Sequence, residues 1–120
     1  MTKATIYHNP RCSKSRSTLE ILQNQAGLEI EEIRYLEQTP SKATLKQLCA
    51  QMSISPLEII RSGETLFKEL GLSKADLKTD DEWLEILIQN PKLIERPIVQ
   101  INDQVVLGRP PENVLSILPK

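Results

Sequence analysis

Cys12 is the residue best placed to do chemistry in this chain. It stands in the stretch His8-Asn9-Pro10-Arg11-Cys12-Ser13-Lys14-Ser15-Arg16, with cationic or potentially cationic side chains on both sides. Ahead of it, Ala4, Ile6 and Tyr7 give the short apolar run of a β-strand, and Asn9-Pro10 breaks that run. Beyond it, Leu19, Leu22 and Ala26 fall on one side of a helical pattern, with Glu20, Gln23 and Asn24 on the other. Cys12 is therefore expected in a strand-to-helix loop, at or just before a helix N-terminus. Unpaired backbone N–H groups and the positive end of the helix dipole converge there. With Arg11, Lys14, Arg16 and His8 nearby, that setting favours thiolate over thiol. The same loop attracts an oxyanion. One loop is thus expected to supply both a nucleophile and an anion site.

The neighbours of Cys12 narrow the chemistry. A two-thiol redox centre needs Cys-x-x-Cys, but the positions three residues away hold Asn9 and Ser15. Cys12 would have to be resolved by an external thiol. Ser15, one turn into the helix, is placed to donate a hydrogen bond to a Cys12 thiolate. A phosphatase-type loop wants an Arg six residues after the Cys, where this chain has Thr18. Cys49, the other cysteine, falls between Leu48 and Met52 on an apolar helical stripe and reads as core. His8, the single histidine, has two roles open to it: electrostatic tuning of the thiol, or a satisfied structural ring. One His and two Cys without paired spacing make no zinc set, so no metal is expected.

The elements that must position this loop follow in order. A second strand is expected around Ile30–Arg34, and a helix capped by Ser41 carries Leu45, Leu48, Cys49 and Met52. Ser55-Pro56 opens a short helix through Ile59, Ile60 and Arg61, ended by Ser62-Gly63. Leu66, Phe67 and Leu70 suggest another short helix. Thr79 and Glu82 have capping-box spacing ahead of the stripe Trp83, Leu84, Leu87 and Ile88. Ile98–Ile101 and Gln104–Gly108, joined by Asn102-Asp103, read as a β-hairpin. Arg109-Pro110-Pro111 introduces a last helix burying Val114, Leu115 and Leu118. The order strand, helix, strand, helices, hairpin, helix implies an α/β fold. The economical solution is a four-stranded sheet flanked by helices, a thioredoxin-like fold with a helical insertion over roughly residues 41–91. A single domain spanning 1–120 is expected, since the length suits one core and no linker is marked.

The whole-chain balance excludes several classes. A formal net charge of −1 argues against a general binder of nucleic acid or acidic membranes. No apolar run approaches the roughly 20 residues of a membrane helix. The chain goes straight into a strand pattern without a leader, so the reducing cytoplasm is the expected compartment.

Three separated motifs, His8 to Arg16, Arg96-Pro97-Ile98-Val99 and Gly108-Arg109-Pro110, together resemble the glutaredoxin-dependent arsenate reductase family. The resemblance covers essentially the full length and implies a thioredoxin-like fold, a mixed sheet and a helical insertion. It implies that Cys12 attacks arsenate while Arg61, Arg96 and Arg109 hold the oxyanion, and that the Arg96–Pro97 bond is cis. It also implies glutathione as reductant, glutaredoxin as the partner that clears the mixed disulfide, and no bound cofactor. Guanidinium groups match the geometry of a tetrahedral oxyanion and offset its repulsion from a thiolate. Two other readings remain open: a thiol oxidoreductase of another substrate, and a non-enzymatic regulator of the same fold. The regulators of that kind bind RNA polymerase and carry the Cys-x-x-Cys that this chain lacks.

Overall fold

Four strands form the sheet. In the computed structural model, which describes residues 2–118, β1 (Thr2–His8), β2 (Leu28–Arg34), β3 (Ile98–Ile101) and β4 (Gln104–Leu107) lie in the order β2-β1-β3-β4. β1 runs parallel to β2 and antiparallel to β3, and β3 pairs antiparallel with β4. This is the mixed, thioredoxin-like sheet expected from the order of elements. The parallel pair is joined by α1 (Ser13–Gln23), because parallel neighbours need a crossover.

The chain divides into two compact units. One runs through Gln38 and resumes at Arg96; the other is Thr39–Glu95. In the sheet unit, Ala4 and Ile6 of β1 meet Leu22 of α1, Val99 and Ile101 of β3, and Val114 and Ile117 of the closing helix in one apolar core. Period-two alternation explains the set: Ala4, Ile6 and His8 share a face of β1, and all three are buried. The closing helix, Pro111–Ile117, is 3₁₀ rather than α. Its side chains therefore repeat every three residues, so Val114 and Ile117 are buried while Leu115 is 56% exposed, contrary to the expectation for Leu115.

The other unit packs α2 (Lys42–Met52) and α4 (Asp80–Gln89) around Leu45, Leu48, Trp83, Leu84 and Leu87, all buried; α3 (Thr65–Glu69) contributes Phe67. Both N-caps read from the sequence form: Ser41 Oγ accepts from the Thr44 N–H at 3.1 Å, and Thr79 and Glu82 exchange bonds at 3.2 and 2.9 Å. One expectation is corrected. The short helix stops at Ile59, and Ile60 is extended and pairs antiparallel with Ile94. Ile60 is β-branched and fits an extended backbone better than a helix end. The flanking bonds, Glu95 N–H to the Ile59 carbonyl at 2.7 Å and Arg61 N–H to the Leu93 carbonyl at 2.8 Å, complete this two-stranded contact.

Candidate active site

The loop between β1 and α1 is built from its own backbone. The Cys12 N–H donates to the Asn9 carbonyl at 3.0 Å, closing a turn over Asn9-Pro10-Arg11-Cys12, and the Arg11 N–H donates to Asn9 Oδ1 at 3.0 Å. Arg16 folds back so that Nη1 donates to the Pro10 carbonyl at 2.9 Å. Cys12 is the N-cap residue of α1, extended at φ −95° and ψ 124°, with no hydrogen bond from its side chain closing the helix in the manner of Ser or Asp.

Cys12 is half-buried, and its thiol lies below the ordinary cysteine value. Burial pushes it up; the backbone N–H of Ser15, the charge of Arg96, the backbone N–H of Lys14 and a hydrogen bond from the Arg96 side chain together outweigh that. The helix N-terminus thus acts as expected. The charge beside the sulfur is that of Arg96, brought from the far end of the chain, while the side chains of Arg11, Lys14 and Arg16 are exposed.

Ser15 is fully buried and its hydroxyl points away from the role expected of it. Oγ lies 2.7 Å from His8 Nδ1 and accepts from the Asn9 N–H at 3.0 Å. These bonds tie the end of β1 to the first turn of α1, and it is the Ser15 amide that serves the sulfur. His8 is 3% exposed, with Nε2 3.9 Å from Glu32. Burial lowers its basicity; Glu32 opposes this while Arg34 and Arg16 assist it. The ring therefore favours its uncharged form more than a free imidazole does. Its Nδ1 contact with Ser15 Oγ lies at the junction of β1 and α1.

The hairpin sets the two late arginines. Ile98 pairs with Leu107, and the ladder continues outward through a bond from the Gly108 N–H to the Pro97 carbonyl at 2.9 Å. Arg96 and Arg109 are the next opposed positions, and Arg109 Nη1 donates to the Arg96 carbonyl at 3.3 Å. The Arg96–Pro97 bond is cis, as the resemblance implies, and so is Arg109–Pro110, which nothing in the local sequence singles out. Gly108 is required by contact: a Cβ there would meet Thr18 Oγ1 at 2.6 Å and Pro97 Cγ at 2.8 Å. Thr18, which the sequence marks only as standing where a phosphatase-type loop has an Arg, donates its hydroxyl to the Lys14 carbonyl at 2.8 Å and lies 3.4 Å from the Gly108 carbonyl, linking α1 to the hairpin.

Arg61 belongs to the other unit. Its guanidinium meets Glu64 at 3.2 Å and the Lys92 carbonyl at 3.4 Å. Cys49 is 3% exposed in the same unit, and burial, with Asp80 and Glu58, raises its thiol to about 11. That value makes it an unreactive core residue, as its place between Leu48 and Met52 suggests. Among the described residues no cluster of three His, Cys, Asp or Glu could hold a metal ion, and no helix is long and apolar enough to cross a membrane.

A half-buried thiol at a helix N-terminus, beside an arginine that precedes a cis proline, invites comparison with known proteins. Residues 7–117 match the model of the ArsC family. An arsenate reductase of Escherichia coli is 45% identical over 119 residues, covering 99% of this chain and 83% of its own length. A protein of Escherichia coli K12 described as uncharacterized, YfgD, is 46% identical over 120 residues, covering 98% of this chain and 99% of its own. The solved structure of an arsenate reductase from Vibrio cholerae superposes with a TM-score of 0.90 at 47% identity, covering 98% of each chain. The family match spans the loop, both late arginines and the segment between them, and the chain belongs to the ArsC family.

Proposed function

We propose that this protein is an arsenate reductase with Cys12 as its nucleophile and glutathione as its electron source. The observation that carries the reading is the Cys12 sulfur itself, held below its ordinary pKa by the amides of Ser15 and Lys14 and by Arg96. The likeness to arsenate reductases at about 45% identity supports the choice of substrate. Cys12 attacks arsenic(V), and one oxygen leaves as water. A glutathione thiol then attacks, two electrons pass to arsenic, and arsenite departs. The two sulfurs remain as a Cys12–glutathione disulfide, which glutaredoxin reduces. In net terms two thiols become one disulfide as arsenic(V) becomes arsenic(III).

Arg96 and Arg109 hold the oxyanion from the sheet unit, and Arg61 is assigned as the third cation. Fixed guanidinium groups both position the anion and offset the charge that builds on it. His8 and Ser15 keep the loop in shape, and the chain is read as one enzyme domain of the cytoplasm, where glutathione is reduced.

The test is NADPH consumption coupled through glutathione, glutaredoxin and glutathione reductase, with and without arsenate. Wild type should consume NADPH only with arsenate, Cys12→Ser should be inactive, and Cys49→Ser should be near normal. Activity surviving in Cys12→Ser refutes the reading. Disulfide exchange without arsenate turnover moves the protein to a thiol oxidoreductase of another substrate. A partner captured equally well by Cys12→Ser points to the regulator.

A further inference from the structure

Arg61 is restrained along its whole length. Its N–H donates to the Leu93 carbonyl at 2.8 Å, and its own carbonyl accepts from the Glu64 N–H at 3.1 Å. Its Nη1 donates to the Lys92 carbonyl at 3.4 Å, and its Nη2 lies 3.2 Å from Glu64 Oε2. Glu64 Oε1 is also 4.0 Å from Lys92 Nζ. The Arg61 and Glu64 side chains are only 21% and 23% exposed, so water screens this pair less than a surface pair. Turn residues Ser62 and Gly63 bring the carboxylate back onto the guanidinium.

We propose that Glu64 is a positioning residue for Arg61, its carboxylate fixing the guanidinium so that the remaining N–H donors are aimed before an oxyanion arrives. This rests on the assignment of Arg61 as an oxyanion ligand. A guanidinium carries five N–H donors in a rigid fork. The contacts to Lys92 and Glu64 engage one at each terminal nitrogen, and orientation by a bonded neighbour lowers the ordering cost of the contacts that follow. A purely attractive site would omit a carboxylate here, since its charge opposes an anion. Its presence beside Arg61 is explained by geometry rather than by charge.

The two effects separate by substitution. Glu64→Ala removes both the tie and the negative charge; Glu64→Gln removes the charge and keeps an oxygen acceptor for Nη2. Orientation predicts that Glu64→Ala raises the KM for arsenate up to about tenfold, since the guanidinium must then be ordered as the anion binds. kcat falls by a smaller factor than KM rises, because the guanidinium that Glu64 orients also offsets charge building on the arsenate while the reacting sulfur is untouched. Glu64→Gln returns KM to the wild-type value or below it. In an Arg61→Ala background, Glu64→Ala should add less than twofold, since the residue it acts through is gone. Thermal unfolding of each variant is recorded alongside, because a role in folding alone would move the midpoint and leave KM in place.

Three results overturn the proposal: a KM for Glu64→Ala within twofold of wild type, a full Glu64→Ala effect in the Arg61→Ala background, or no restoration by Glu64→Gln. Calorimetric binding of inorganic arsenate to the Cys12→Ser protein, with and without Glu64→Ala, reads the same orientation without turnover. Loss of turnover in wild type therefore sinks the functional reading alone, whereas unchanged anion binding in Arg61→Ala sinks the Arg61 role and this proposal together.

Discussion

Gly108→Ala tests how tightly the hairpin is seated against the thiol loop. The new methyl would lie 2.6 Å from Thr18 Oγ1, 2.8 Å from Pro97 Cγ and 3.0 Å from Thr18 Cγ2. Neither neighbour yields easily. Pro97 is a ring, and Thr18 is a β-branched residue inside α1 whose hydroxyl is bonded to the Lys14 carbonyl. Rotating Thr18 clears one of its two γ atoms from the methyl but not both. Overpacking of this kind costs about 3 kcal/mol at the upper end. Gly108 is not at positive φ, so alanine recovers about 0.7 kcal/mol of unfolded-chain entropy. The net loss is about 2 kcal/mol, or a fall of roughly 8 °C in the unfolding midpoint at this chain length. Circular dichroism against temperature measures it. Activity in the coupled assay should fall as well, because Gly108 and Pro97 are the residues adjoining Arg109 and Arg96. An unfolding midpoint within about 2 °C of wild type would falsify the claim that this contact is unyielding.

Three further outcomes follow from the geometry of the thiol loop. The pH profile of iodoacetamide alkylation at Cys12 should be shifted to lower pH than a free thiol, with Cys49 unlabelled until the protein unfolds. For stability, the sign follows from the lowered pKa. The advantage of wild type over Cys12→Ser should grow as pH rises from the folded pKa of Cys12 toward its unfolded value, and vanish as pH falls through the folded one. An alkylation midpoint at or above that of a free cysteine refutes this. Ser15→Ala strands the buried His8 Nδ1 and weakens the hold on the Asn9 N–H, at a cost of about 1–3 kcal/mol in denaturant titration. A loss under about 0.5 kcal/mol would show that the brace is dispensable.

The strands, the hairpin turn, the capping box at Thr79 and the place of Cys12 at the start of α1 were legible because each is written in a short stretch. Asn102 takes φ 55° at the turn, a conformation Asn tolerates, so Asn102-Asp103 marks the reversal locally. Partners chosen by tertiary structure were not legible. Ser15 sits one turn from Cys12, which suggests a hydroxyl-to-sulfur bond. Only the return of His8 to the first turn of α1 shows that the hydroxyl is engaged elsewhere. Arg96 reached the thiol ahead of the nearer cations for the same reason. The Ile60–Ile94 pairing is too short for periodicity to register, and Leu115 was misplaced because a helix was assumed to turn every 3.6 residues.

Because Arg96 and Arg109 occupy opposed positions just beyond the paired ends of β3 and β4, where Arg109 Nη1 donates to the Arg96 carbonyl, their mutual alignment is a matter of parity. Residues added at the Asn102-Asp103 turn lengthen the hairpin at its far tip and leave the two residues at opposed positions. A single residue added within either strand slides one arginine past its counterpart by about 3.3 Å and turns it to the opposite side of the sheet. The tip is accordingly the place to graft a probe or a tether, and the strand lengths are the dimension that an engineer of this enzyme must leave alone.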